Sequence, residues 1–188
     1  MSEIELRQEH VPVLDTDSWV TVVQQVATLA QQIAQTPFVP ESFRGSVPAV
    51  AAAILTGREM GLPPMVSLRH IHVIKGKPGQ SAELMRALVQ RAGHEIKVTE
   101  ATDTRAVVCG RRRGEVEWQE ARFTAEQARR AKIDLGGYPE DKLVARATTR
   151  LCRRHFADAI GGMPSVDELE DVGAEDAVPV GAPETTGP

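Results

Sequence analysis

The apolar residues of this chain change period at His70, and that change restricts the folds open to it. Before His70 they recur at helical spacing. Trp19, Val22, Val23, Val26, Leu29, Ala30 and Ile33 form one stripe, with Asp17 or Ser18 able to cap its start and Pro37 and Pro40 to end it. Ser46 and Pro48 mark a second helix start. It runs through Val50, Ala53, Ile54 and Leu55 to Met60, and Gly61 stops it. Pro63 and Pro64 open a short helical turn through Leu68. From His70 to Ile74 the pattern is that of a strand, and Lys75-Gly76-Lys77-Pro78-Gly79 reads as a turn. Ser81 caps a further helix over residues 82–92 with Leu84, Met85, Leu88 and Val89 inward. Residues 94–99, 105–110 and 115–123 then read as three strands, with turns at Thr102-Asp103 and Arg113-Gly114. Thr124 and Gln127 have capping-box spacing for a short helix. Gly136-Gly137 breaks the chain before a long helix over residues 139–160. The expectation is an α+β fold: an antiparallel sheet, made of a hairpin plus a three-stranded meander, packed with about five helices.

Charge is segregated along the 188 residues. Residues 42–156 hold 21 of the 22 Lys and Arg against 12 acids, a net +9, while residues 1–41 carry −5 and residues 157–188 carry −8. This divides the chain into a flexible arm (residues 1–16), a core for binding and oligomerisation (residues 17–165) and an acidic, disordered tail (residues 166–188), with disorder placed past about Val172. A basic body between acidic ends suits a polyanion partner, and equally a well-solvated surface with solubilising tails. Cys109 and Cys152 make no disulfide framework. No N-terminal run resembles a signal peptide, and no apolar stretch approaches ~18 residues. The expected compartment is therefore cytoplasmic, with no membrane partner.

Within the long helix, Leu143, Ala147, Leu151 and Phe156 make an apolar side. Lys142, Arg146, Arg150, Arg153 and Arg154, three or four residues apart, make a basic stripe. Glu140 and Asp141 offset it only in the first turn, where the helix dipole favours acids. Like charges at this spacing repel, and a phosphate backbone would relieve the repulsion. A second set comes from turns: Lys75 and Lys77 beside glycines, and Arg111, Arg112 and Arg113 at a hairpin tip. The alternatives are a solvated helix face and ordinary polar turns.

Aromatics make up 4% of the chain and form no alternating platform for stacking bases. Binding through phosphates leaves base edges free to pair, as strand annealing requires. No Walker-type loop, G-x-S-x-G or H-E-x-x-H is present, so no catalytic residue, metal ligand or cofactor is assigned. Cys152 and His155, one helical turn apart, could share a metal with His70, His72 or Cys109, but no second pair has zinc spacing. A single-stranded DNA-binding or regulatory protein that never anneals, a metal-dependent nuclease and a pure assembly protein stay open as alternatives.

Three stretches together carry a resemblance. They are Phe43-Arg44-Gly45 through Ala53-Ile54-Leu55-Thr56-Gly57-Arg58-Glu59-Met60-Gly61-Leu62-Pro63-Pro64-Met65, Ile71-His72-Val73-Ile74-Lys75-Gly76-Lys77-Pro78 with Ser81-Ala82-Glu83-Leu84-Met85, and Tyr138-Pro139 with Leu143-Val144-Ala145-Arg146-Ala147. In this order they resemble phage single-strand annealing recombinases of the RecT/Red-beta group. The resemblance implies ATP-independent annealing of complementary strands in phage-type recombination, without covalent catalysis. It implies an α+β core that self-assembles into rings or helical filaments on single-stranded DNA and nascent duplex. It also implies a bacterial host with a phage or prophage gene, and a phage exonuclease and host single-strand binding protein as partners. Lys75, Lys77 and Arg146 fall within the matching motifs; Arg111, Arg112 and Arg113 rest on charge alone. Gly136-Gly137 stands where the family often has an aromatic.

Overall fold

The computed structural model describes residues 16–175. The chain divides between Ala51 and Ala52 into two compact units, a boundary inside the core expected over residues 17–165. The arm expected over residues 1–16 lies outside the described residues except for Thr16, which opens the first helix.

The first unit contains α1 (Thr16–Ile33), a 3-10 turn at Glu41–Phe43 and the start of α2 (Val47–Glu59). Of the stripe, Val22, Val26 and Ala30 are buried, with Ala34 in line with them, whereas Val23 is exposed and Trp19, Leu29 and Ile33 are half-buried. Ser46 Oγ accepts from Ala49 N at 3.4 Å, capping α2 at the residue the sequence singled out.

The second unit continues with α3 (Pro64–His70), β1 (Ile71–Ile74), β2 (Lys77–Gln80), α4 (Ala82–Arg91), β3 (Glu95–Ala101), β4 (Arg105–Arg111), β5 (Gln119–Thr124), α5 (Ala125–Arg130), α6 (Pro139–His155) and α7 (Val166–Glu175). It is an α+β fold. β1 and β2 form an antiparallel hairpin, and β3, β4 and β5 form an antiparallel meander in that order. Only Lys75 and Gly76 make the hairpin turn; Lys77-Pro78-Gly79 belong to β2, with Ile74 paired to Lys77. Proline is compatible with this strand because a two-stranded ribbon leaves each strand one free edge. The expected long helix is also shorter, since α6 ends at His155.

One face of the meander carries the core. Ile96, Ala106, Val108, Ala121 and Phe123 alternate inward and meet Met85 and Val89 of α4 and Leu143, Ala147, Leu151 and Cys152 of α6. Each fully buried Leu or Phe contributes about 1.5–3 kcal/mol. Gly110 sets the closest approach: a Cβ there would stand 2.6 Å from Phe156 and 3.1 Å from Leu151. Beyond α6, Gln80 ties the hairpin to the last part of the chain. Its Nε2 donates to Ile160 O at 2.9 Å, its backbone N donates to Pro164 O at 3.0 Å, and it bridges Ser165.

The acidic tail is corrected in part. Residues 166–175 are helical, and residues 176–188 lie outside the described residues. Ser165 and Glu168 close a reciprocal capping box, with Glu168 N donating to Ser165 Oγ at 3.1 Å and Ser165 N donating to Glu168 Oε2 at 2.9 Å. Leu169 then inserts where β2 has Gly79; a Cβ on that glycine would meet Leu169 Cδ1 at 2.7 Å. Among the described residues, no helix is long and apolar enough to cross a membrane.

Candidate nucleic-acid interface

α6 presents two faces of opposite character. Leu143, Ala147 and Leu151 are wholly buried against the sheet, and helical geometry places Lys142, Arg146 and Arg150 on another side. Arg146, Arg150, Arg153 and Arg154 line one open hollow of about 280 Å³ with Phe123, Thr149 and Glu168. Lys142 and Arg146 line a second with Lys132, Asp134, Asp167 and Glu170. All the α6 candidates named from spacing therefore gather on one surface.

How these cations are held matters more than how many there are. Arg150 Nη1 donates to the carbonyl of Arg122 at 2.7 Å and to Gln127 Oε1 at 3.4 Å, and its guanidinium lies 4.7 Å over the Phe123 ring. Arg153 Nη1 donates to Gly162 O at 2.8 Å, and Lys142 Nζ donates to Asp134 O at 2.8 Å. These acceptors are neutral. They fix each side chain in place without cancelling its charge. Burial, and then the neighbouring Arg154 charge, hold the Arg150 guanidinium below its ordinary pKa. Thr149, nearly buried beside the hollow, has a hydroxyl with no hydrogen-bond partner among the described residues.

The arginines between β4 and β5 are held differently. Arg111 Nε donates to Glu95 Oε1 at 3.0 Å, and its guanidinium lies 4.9 Å from the centre of the Trp118 ring. Lys97 covers the same ring at 4.1 Å. Arg112 makes a two-point bond with the Asp158 carboxylate, with Nη1 3.1 Å from Oδ2, and lies against Phe156. These two charges are matched by carboxylates. Arg113 is exposed; its backbone N donates to His94 Nδ1 at 3.2 Å. The tip thus offers one arginine where the sequence suggested three. The Arg112–Asp158 pairing spans 46 residues, which no local pattern reveals.

Lys75 and Lys77 are exposed at the end of the β1–β2 hairpin. Lys75 adopts a positive φ of 49°, which a two-residue turn of this kind needs. α7 packs against both strands of this hairpin while Asp167 and Glu168 face α6. Within the second unit the aromatics form no platform: Phe123 and Phe156 are buried, Trp118 is covered by cations, and Tyr138 is exposed. Cys152, one half of the considered metal pair, lies in the core, and burial pushes its thiol up to about 12.

The acids opposite the stripe come from the acidic tail, which the charge pattern already sets against the basic groove as an intramolecular polyanion; the individual pairings were not legible. Asp167 Oδ2 lies 3.9 Å from Arg146 Nε, and Glu168 Oε2 lies 3.4 Å from Arg153 Nε. A signal for their helix was present: Ser165-Val166-Asp167-Glu168 is a capping-box sequence, followed by Leu169 and Val172 at helical spacing. In comparisons with known proteins, no family model, no curated protein and no solved structure matches this chain.

Proposed function

We propose that this protein binds single-stranded DNA by its phosphate backbone and pairs complementary strands without ATP. The observation that carries the reading is the outer face of α6. There Lys142 and Arg150 are fixed by carbonyl acceptors and keep their net charge, while Arg153 is held by a carbonyl and also faces the Glu168 carboxylate. Fixed, uncancelled cations at helical spacing suit a repeating phosphate chain. Neutralising phosphates lowers the repulsion between two strands, and holding both strands near one another supplies proximity. No bond is made or broken, so the reading needs no cofactor. The scattering of exposed aromatics favours backbone contact over base stacking, and bases left unstacked are free to pair.

Self-assembly, a partner exonuclease and a host single-strand binding protein belong to this proposal through the sequence resemblance alone. The test is a fluorescence annealing assay with complementary oligonucleotides, without nucleotide and in EDTA. The reading expects pairing well above the spontaneous rate. Tight binding with no acceleration would instead favour a coating or regulatory protein, and cleavage on adding magnesium or manganese would favour a nuclease.

A further inference from the structure

We infer that α7 is an acidic latch on the arginine face of α6, and that a phosphodiester chain must displace it to bind fully. This rests on the proposed DNA-binding reading and adds its regulation. The geometry has three parts. First, α7 brings carboxylates to the cations that the reading assigns to phosphate: Asp167 to Arg146 at 3.9 Å and Glu168 to Arg153 at 3.4 Å. Glu168 also borders the hollow formed by Arg146, Arg150, Arg153 and Arg154, where a phosphate oxygen would otherwise sit. Glu170 and Asp167 border the neighbouring hollow with Lys132, Lys142 and Arg146. The helix therefore presents carboxylates along the stripe much as a strand presents phosphates.

Second, the latch has a defined hinge side and a defined seat. Its start is fixed by the Ser165–Glu168 capping box and by Gln80, whose buried amide holds Ile160 O and whose backbone N holds Pro164 O. Its one apolar anchor among these contacts is Leu169, seated over Gly79 of the hairpin. No Lys or Arg occurs from residue 157 to the end of the chain, so nothing in this segment repels the arginine face. Third, the closing ion pairs reach solvent: Arg153 and Glu168 are 38% and 40% exposed, and Asp167 is 34% exposed against a more covered Arg146 at 14%. Pairs of this kind are weak and screened by salt, so a polyanion that makes several contacts at once outcompetes them.

The test is Asp167→Asn with Glu168→Gln in the full chain. The glutamine side chain keeps an oxygen for the capping box, and circular dichroism with thermal melting checks that the fold is retained. Binding to fluorescent oligo(dT) is measured against salt, next to wild type and Arg150→Ala. The latch predicts affinity raised about tenfold at low salt, the combined effect of two released ion pairs. It also predicts that hydrogen exchange over residues 166–175 of the wild type speeds up when oligo(dT) binds. If wild type binds and Arg150→Ala weakens it, but the double variant binds no tighter and α7 exchange is unchanged or slowed, the latch is wrong and the DNA-binding reading survives. If neither wild type nor the double variant binds oligo(dT), the reading itself fails, and the latch with it.

Discussion

At the scale of single residues, an arginine's contribution to a binding face depends on what it is tied to. Arg150 is tied to a carbonyl and an aromatic ring, and Arg112 to the carboxylate of Asp158. We therefore expect Arg146→Ala with Arg150→Ala to weaken DNA binding at least tenfold and to reduce the salt slope by about 2, ~1 for each lost phosphate contact. Arg112→Gln should change affinity far less. Fluorescence anisotropy across a salt series measures both, and Arg150→Lys, which keeps the charge, should restore part of the slope. The two thiols make a second contrast. Cys109 is half-buried on the meander, whereas Cys152 is in the core with its thiol at about 12. Iodoacetamide at mild alkaline pH should modify Cys109 and spare Cys152 until the protein unfolds, as peptide mass spectrometry would show. The sign for stability follows from the same burial. A thiol raised in the folded state releases its proton more readily on unfolding, so its contribution is kept below the ordinary value of 9.0 and lost as pH rises towards 12.

At the scale of elements, the meander and α6 depend on one missing side chain. A Cβ on Gly110 would stand 2.6 Å from Phe156. Gly110→Ala should cost about 1–3 kcal/mol by forcing Phe156 or β4 to move, and a urea midpoint shifted down at unchanged m-value would record it. Elements defined by local signals were legible in sequence. Thr124 and Gln127 do form a capping box for α5, and Ser81 does accept from Leu84 N at the start of α4. β2 was harder to read, because Lys-Pro-Gly looks like a turn until pairing with β1 makes it a strand. α7 was misread for a related reason. Acid-rich composition argues for disorder, but a capping box and one leucine placed over a glycine supply the contacts that composition does not count.

At the scale of the whole molecule, the α+β class and the basic face of α6 were set by sequence alone, because helical and strand periods decide which residues share a side whatever packs against it. Leu143, Ala147 and Leu151 are buried and Arg146 and Arg150 lie on another side of the helix, part-buried, as their spacing requires. The state of those charges was decided only by tertiary structure. Whether an arginine meets a carbonyl, a carboxylate or solvent depends on the element that folds opposite it. Those partners come from far along the chain: Arg122 O for Arg150, Gly79 for Leu169 and Asp158 for Arg112. Periodicity specifies a direction from one helix axis, and it carries no information about what lies in that direction. Hence a sequence with a +9 centre and a −8 end could show that opposite charges were available. Only the fold, through Gln80, Ser165 and the glycine under Leu169, brought the acids of α7 onto the arginines of α6.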